Sequence, residues 1–291
     1  VKELVVLSGM GGTGKTSVVA SFAYLASGIV LADADVDAAN LHLLLHPVVK
    51  EEKEFWSGQR AAIAKEKCVG CGACWEACRF GAITAETPPG VDELSCEGCG
   101  FCARLCPAEA ITMRPVLAGH WYLSETPYGP LVHARLDIGQ QNSGKLVAQV
   151  RQAAKNVAAQ GGYPYLVTDG PPGIACPAIS SLARADLVLL VTEPTVSGQH
   201  DLARVADLCR HFQVPFIVCI NKFDLSRKTT REMERFCRDQ GLDVAARIPF
   251  DPDVPRALVQ GVPLVEYSRG GAAAAIRELW EQVVARLGSK D

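Results

Sequence analysis

The stretch LSGMGGTGKTS, residues 7–17, places Gly9, Gly14, Lys15 and Thr16 in the phosphate-loop pattern G-x-x-x-x-G-K-S/T. Glycine-rich backbone can turn successive N–H groups toward an anion, beside a helix N-terminus whose dipole favours negative charge. On that reading Gly11, Gly12, Thr13, Gly14 and Ser17 form the cradle, Lys15 reaches the β- and γ-phosphates, and the Thr16 hydroxyl coordinates Mg2+. Met10 is the odd member, an apolar thioether in a loop otherwise built to surround an anion. Two carboxylate-bearing stretches accompany the loop. LADADVDAANLHLLL (31–45) ends a strand-like run in Asp33, Asp35 and Asp37, and VTDGPPG (167–173) sets Asp169 at another strand end. Carboxylates at strand C-termini beside a phosphate loop are placed to hold Mg2+ or its waters and to orient an attacking water. Helix N-capping by an aspartate is the plain alternative, strongest for Asp37.

Eight of the twelve cysteines lie between Cys68 and Cys106 and read C-x2-C-x2-C-x3-C twice. The segments CVGCGACWEACRFGAIT (68–84) and CEGCGFCARLCPAEAIT (96–112) align at a constant offset of 28 residues, a tandem duplication. Zinc sites usually pair two C-x2-C units across a longer gap. Three cysteines at this spacing plus a remote fourth suit a 4Fe–4S cube, and in two-cluster ferredoxins the fourth cysteine of each run ligates the other cluster. The expected sets are Cys68, Cys71, Cys74 and Cys106 for one cube, and Cys96, Cys99, Cys102 and Cys78 for the other. The second run ends in Cys106-Pro107 but the first in Cys78-Arg79, which should change the local turn and potential more than the ligation. Zinc or one degraded site is the competing reading. Cys176, Cys209, Cys219 and Cys237 sit in apolar or helical contexts and read as small buried hydrophobes. His42 and His46 are i, i+4 but lie in a leucine-rich stretch with no third ligand, and read as ordinary surface or core residues.

These groups need elements to hold them. LVVLS (4–8), followed by the glycine loop and TSVVASFAYLA, reads as strand, loop, helix. Further buried-strand candidates are GIVLAD (28–33), YLVTD (165–169), DLVLLVT (186–192) and PFIVCIN (215–221), the later ones separated by helical stretches. Such alternation predicts a mostly parallel sheet with helices on both faces. From about Pro47 to Arg114 the sequence turns polar, Gly-rich and Cys-rich, and strand-like text resumes at HWYLSE (120–125). Residues 47–114 are therefore expected to be an inserted module, leaving 1–46 and 115–291 as one discontinuous domain. A last helix over 272–287 carries Ile276, Leu279, Trp280, Val283, Val284 and Leu287 on one face. Its opposite face mixes Arg277, Glu278, Glu281 and Arg286, which suits packing on the sheet better than lying on a membrane.

Composition narrows the class. With 48% hydrophobic and 21% charged residues over 291 positions, the chain can bury a large core. The net charge of −3, with both signs interspersed, argues against a nucleic-acid-binding surface. No apolar run approaches the ~18 residues of a membrane span, and the N-terminus runs directly into the phosphate loop. The expectation is a cytoplasmic protein, whose thiols stay reduced.

With these pieces assembled, the chain resembles the MinD/ParA branch of phosphate-loop ATPases, and within it the members carrying an inserted ferredoxin domain. The resemblance runs through the glycine loop, DADVDAANLHLLL, the double cysteine run, WYLSETPYGPLVHARL, NSGKLV, DGPPG, VTEPTVSGQHDLARV, INKFD and IPFDPDV. It implies a phosphate-loop NTPase fold with a bacterial-ferredoxin-like α+β insert, and ATP sandwiched in a dimer whose shape changes on hydrolysis. It also implies that Asp35 activates water, that Asp169 supports Mg2+, and that Asn221 and the Pro249-Phe250-Asp251 stretch contact adenine. NKFD (221–224) also imitates the guanine-reading NKxD of GTPases, but the other matches favour ATP. Members of this branch typically carry a second lysine at the place of Met10, which crosses the dimer to the partner's phosphates. Without it, binding should survive through Lys15 while hydrolysis in a homodimer becomes slow. Pairing with a lysine-bearing paralogue, or a substitute cation such as Lys145, would restore it.

The leading expectation is an ATP-driven dimeric switch with two 4Fe–4S clusters that passes electrons to a partner protein. Its rival is an ATPase that assembles or carries metal clusters, and a spatial organiser like MinD is a third reading.

Overall fold

The computed structural model describes residues 1–140 and 143–288. In chain order the elements are β1 (Lys2–Ser8), α1 (Lys15–Leu25), β2 (Ile29–Asp33), α2 (His42–Leu45), β3 (Val48–Ile63), α3 (Ala73–Glu76) and α4 (Phe101–Leu105). Then come β4 (Ile111–Thr126), β5 (Gly129–Leu136), α5 (Ser143–Gly161), β6 (Tyr165–Pro172), α6 (Cys176–Leu182) and β7 (Leu187–Thr192). The chain closes with α7 (Val196–His211), β8 (Phe216–Asn221), α8 (Arg227–Asp239), β9 (Val244–Ile248), α9 (Asp253–Gln260), α10 (Leu264–Tyr267) and α11 (Gly271–Gly288).

The strands form one sheet in the order β3-β4-β5-β2-β6-β1-β7-β8-β9. Pairing is parallel from β5 through β9. β4 and β5 are joined by two residues, a connection only antiparallel neighbours can use. β1 lies between β6 and β7, and its side chains alternate between two cores. Leu4 and Val6 pack with α1 and α11 residues such as Phe22, Ile276 and Trp280, whereas Val5 and Leu7 pack with Leu202, Val205, Met233 and Cys237 of α7 and α8. Period-2 alternation along the apolar run Leu4–Leu7 of β1 therefore goes with helices on both faces of the sheet, as the runs predicted. The apolar face of α11 is buried against this core, with Trp280 tilted on Phe22 at 4.9 Å. No helix among the described residues is long and apolar enough to cross a membrane.

The chain divides into two compact units: Val1–Lys53, Trp121–Arg135 and Ser143–Asp291 in one, Glu54–His120 and Leu136–Asn142 in the other. β3 and β4 each begin in one unit and end in the other. The 16-residue β3 lies within the segment that reads as a polar insert. Its sequence, VVKEEKEFWSGQRAAI, is mostly solvent-exposed and holds the sheet edge, where alternating charge discourages pairing with another chain. Such a strand needs no apolar period, so none announces it.

Inside the second unit the duplication is visible in the backbone. Left-handed residues recur at the 28-residue offset: Gly70 (φ 69°) with Gly98 (64°), Gly72 (74°) with Gly100 (73°), and Gly81 (63°) with Glu109 (49°). Gly72 and Gly100 precede the matching helices α3 and α4.

Candidate functional site

The phosphate loop leaves the C-terminal end of β1 and leads into α1, whose N-cap is Gly14. Gly14 has φ 93°, and a Cβ there would stand 2.4 Å from Nδ2 of Asn221, so only glycine fits. Parallel register sets the carboxylates beside it, since Asp169 pairs with Val6 on β1 and with Asp33 on β2. Lys15, though charged, is buried. Its charge acts on both Asp35 and Asp169.

The Thr16 hydroxyl donates to Oδ2 of Asp169 at 2.7 Å. Oδ1 of Asp169 is buried without a hydrogen-bond partner among the described residues, as is Oγ1 of Thr13. Burial pushes the Asp169 carboxyl above its ordinary range, opposed by Lys15 and the Thr16 hydroxyl. An orphaned carboxylate oxygen next to a threonine hydroxyl fits a hard cation such as Mg2+, which takes oxygen ligands and would relieve that burial.

Asp33, Asp35 and Asp37 separate into different roles. Asp33 is fully buried and accepts from the Leu41 amide at 3.1 Å and the Asp35 amide at 3.2 Å, stapling the loop that carries the other two. Burial, with the Asp169 charge adding to it, pushes its carboxyl well up. Asp35 is half-buried and is also pushed up by burial, against the pull of Lys15. Asp37 is exposed.

A cavity of about 980 Å³ gathers the loop residues Gly11, Gly12, Gly14, Lys15, Thr16 and Ser17 with Asp35 and Asp37. It continues past Asn221 and Lys222 to Pro249, Phe250 and Asp251, with Leu258 and Ile276 beyond. Thr13 is buried and is not among the residues that line the cavity. Asn221 Nδ2 donates to the Thr13 carbonyl at 2.8 Å, and Asp224 of the NKFD stretch accepts from the Phe250 amide at 2.6 Å. Asp224 is not among the lining residues, so its carboxylate braces the Pro249–Asp251 turn.

Met10 is half-buried, its carbonyl accepting from the Ser8 hydroxyl and its sulfur lying 3.9 Å from the Ser197 hydroxyl. Lys145, a candidate substitute cation, stands exposed on α5 and does not line this cavity. The match through NSGKLV includes Asn142, which lies outside the described residues. Lys222, from the end of β8, reaches the loop through the Gly12 carbonyl at 3.1 Å. The sequence held a signal for it in NKFD, but not for its target.

The second unit holds two cysteine-lined cavities. Cys68, Cys71, Cys74 and Cys106 line one, and Cys78, Cys96, Cys99 and Cys102 line the other. Burial pushes the Cys74 thiol up, with Cys68 and Cys106 adding repulsion; burial does the same at Cys102, with Cys96 and Cys99 adding to it. Among the described residues no group of three or more His, Cys, Asp or Glu is gathered to hold a single metal ion.

Of the scattered cysteines, Cys209, Cys219 and Cys237 are buried, and burial pushes their thiols up to about 12, 12 and 11. Cys176 departs from the expectation. It is exposed, because it opens α6 ahead of Pro177 rather than sitting on a strand or an inward helix face.

Known proteins can now be set beside this geometry. Residues 4–264 match the family described as CbiA, the CobQ/CobB/MinD/ParA nucleotide binding domain. An uncharacterized protein of Methanocaldococcus jannaschii is 32% identical over 289 residues, covering 97% of this chain and 96% of its own. An iron-sulfur cluster carrier protein of Pyrococcus horikoshii is 24% identical over 158 residues, covering 50% of this chain and 53% of its own. The structure of the septum site-determining protein MinD with Mg-ADP, from Pyrococcus horikoshii, superposes with a TM-score of 0.61 at 19% identity, covering 99% of this chain and 97% of that one. A strand-loop-helix phosphate cradle, Asp33 at the end of β2, Asp169 inside β6 (which runs on to Pro172 instead of turning at the Gly/Pro pair) and a family match over most of the length agree: this chain belongs to the CobQ/CobB/MinD/ParA family of nucleotide-binding domains and has the phosphate-loop ATPase fold of MinD.

Proposed function

We propose that this protein is an ATP-binding dimeric switch coupled to two 4Fe–4S clusters in a ferredoxin-like insert, and that it drives electron transfer to a partner protein. The observation that carries the reading is the crossed composition of the two cysteine-lined cavities. Each takes three cysteines from one repeat and the fourth from the other, which is the exchange that two-cluster ferredoxins use. Thiols spread over the walls of a cavity suit a multi-iron cube better than a single ion bound at ~2.3 Å by every sulfur. Bound there, such clusters would supply one-electron chemistry at low potential.

The chain's own residues supply the switch. Lys15 and the loop amides hold the phosphates, while Thr16 and Asp169 hold Mg2+. Asp35, half-buried and under the influence of the Lys15 charge, would orient water. Asn221 and the Pro249–Asp251 turn line the far side of the cavity, where the base would lie. Because Met10 carries no charge, the dimer is either a slow homodimer or a pair with a lysine-bearing paralogue.

Anaerobic reconstitution should give about eight iron and eight sulfide per chain, because two full four-cysteine sets are present. Cys71→Ser and Cys106→Ser should each abolish the electron paramagnetic resonance signal of the same cube, and Cys78→Ser that of the other. Bound zinc without iron would overturn the reading.

The relative named as an iron-sulfur cluster carrier protein favours a second reading, in which the clusters are cargo. Incubation with an apo-acceptor and, separately, with an oxidised redox partner separates the two. Iron moving to the acceptor supports a carrier, and reduction of the partner with iron retained supports electron transfer.

A further inference from the structure

Two consecutive residues at the end of β8 hold two consecutive peptide groups of the phosphate loop. Asn221 donates to the Thr13 carbonyl at 2.8 Å, and the Lys222 ammonium donates to the Gly12 carbonyl at 3.1 Å. A trans peptide sets its C=O and the following N–H in opposite directions. Drawing the Gly12 carbonyl toward Lys222 therefore turns the Thr13 amide the other way. The Thr13 carbonyl, held by Asn221, does the same for the Gly14 amide. Amides aimed in concert are what an anion-binding nest consists of.

Lys222 is itself fixed. Its ammonium is shared with Oε2 of Glu193, just past β7, at 2.9 Å, and its side chain is 31% exposed. Its backbone sits at φ 54°, a region lysine rarely adopts, with its own amide bonded to Oδ1 of Asn221 at 2.9 Å. That turn sends two adjacent side chains to adjacent loop carbonyls.

We propose that Lys222 is a positioning residue of the nucleotide site, which orients the Thr13 amide for phosphate through the Gly12 carbonyl and is anchored by Glu193. The proposal rests on the ATP reading above. A half-buried Lys–Glu pair serving only stability would do nothing specific for phosphate.

The test titrates the full chain with Mg·ATP and with inorganic tripolyphosphate, a probe without a base, and melts it without ligand. Lys222→Met should weaken both ligands about tenfold, ~1.4 kcal/mol, and leave the nucleotide-free melting temperature unchanged. Lys222→Arg, which keeps donors for both acceptors, should recover most of the affinity. Lys222→Met binding both ligands like the unmutated chain would overturn the proposal, as would an affinity loss that only follows a fall in melting temperature. If the unmutated chain binds no nucleotide, the ATP reading falls and takes this proposal with it. If it binds ATP and Lys222→Met does equally, only the present proposal falls.

Discussion

Asp169 accepts the Thr16 hydroxyl on one carboxylate oxygen at 2.7 Å and keeps the other buried without a hydrogen-bond partner among the described residues. A carboxylate in that state is costly to bury and gains most from a cation. Asp169→Asn should therefore remove most of the Mg2+ dependence of ATP binding. Melting of the nucleotide-free variant should be no lower than that of the parent, because a buried charge has gone. Calorimetric titration with and without Mg2+ reads the first effect; an undiminished Mg2+ dependence would refute the assignment.

Lys15 and Asp35 line the same cavity, and the proposed function gives them different stages. Lys15→Ala should weaken ATP binding strongly, because phosphate loses its main charge-assisted partner. Asp35→Ala should spare binding and lower turnover, since placing the water matters on the way to the transition state. Parallel binding and single-turnover measurements check this, and equal binding losses in both variants would contradict it.

Met10 places a thioether where the resemblance to the MinD/ParA branch implies a lysine that crosses the dimer. Cationic fingers on transferring phosphate are worth ~10³–10⁵ in rate, roughly 4–7 kcal/mol of barrier. Met10→Lys should raise steady-state ATPase activity at least tenfold with little change in ATP affinity. If the unmutated chain already turns over as fast as the variant, Met10 is a neutral occupant.

His133 gives a pH signature. Burial, followed by the nearby His42, lowers its imidazole to about 4, and its Nε2 lies 2.9 Å from the Ser124 hydroxyl. Because the folded value is below the unfolded one of 6.5, the unfolded chain takes up a proton that the native state resists. Stability from this residue is complete above pH 6.5 and is lost as pH falls toward 4. Asp33 and Asp169, pushed up by burial, slope the opposite way, so the difference between variants is the informative quantity. His133→Gln should lose less melting temperature than the parent between pH 6.5 and 4.5; equal losses would remove His133 from the acid response.

What the sequence determined by itself is whatever depends on local spacing. The glycine loop, the end of β2 at Asp33 and the apolar runs of β1, β2, β6, β7 and β8 are legible because a short segment carries its own pattern, whereas β6 runs past Asp169 to Pro172 where the Gly/Pro pair reads as a turn. The cysteine repeat also announced its duplication, which reappears as left-handed residues 28 positions apart. Tertiary structure decided what depends on which segments meet. β3 was hidden because a charged edge strand buries little and shows no apolar period. Asp33 became a buried staple and Asp37 an exposed residue through the fold of one loop, although all three aspartates look alike in sequence. Cys176 is exposed because it opens a helix. Lys222 meets the Gly12 carbonyl, 210 residues away in sequence, only because parallel strands bring the ends of β1 and β8 to the same edge of the sheet. Periodicity records which face of an element is buried; it carries no record of the partner across the gap, which is fixed only when the strands align.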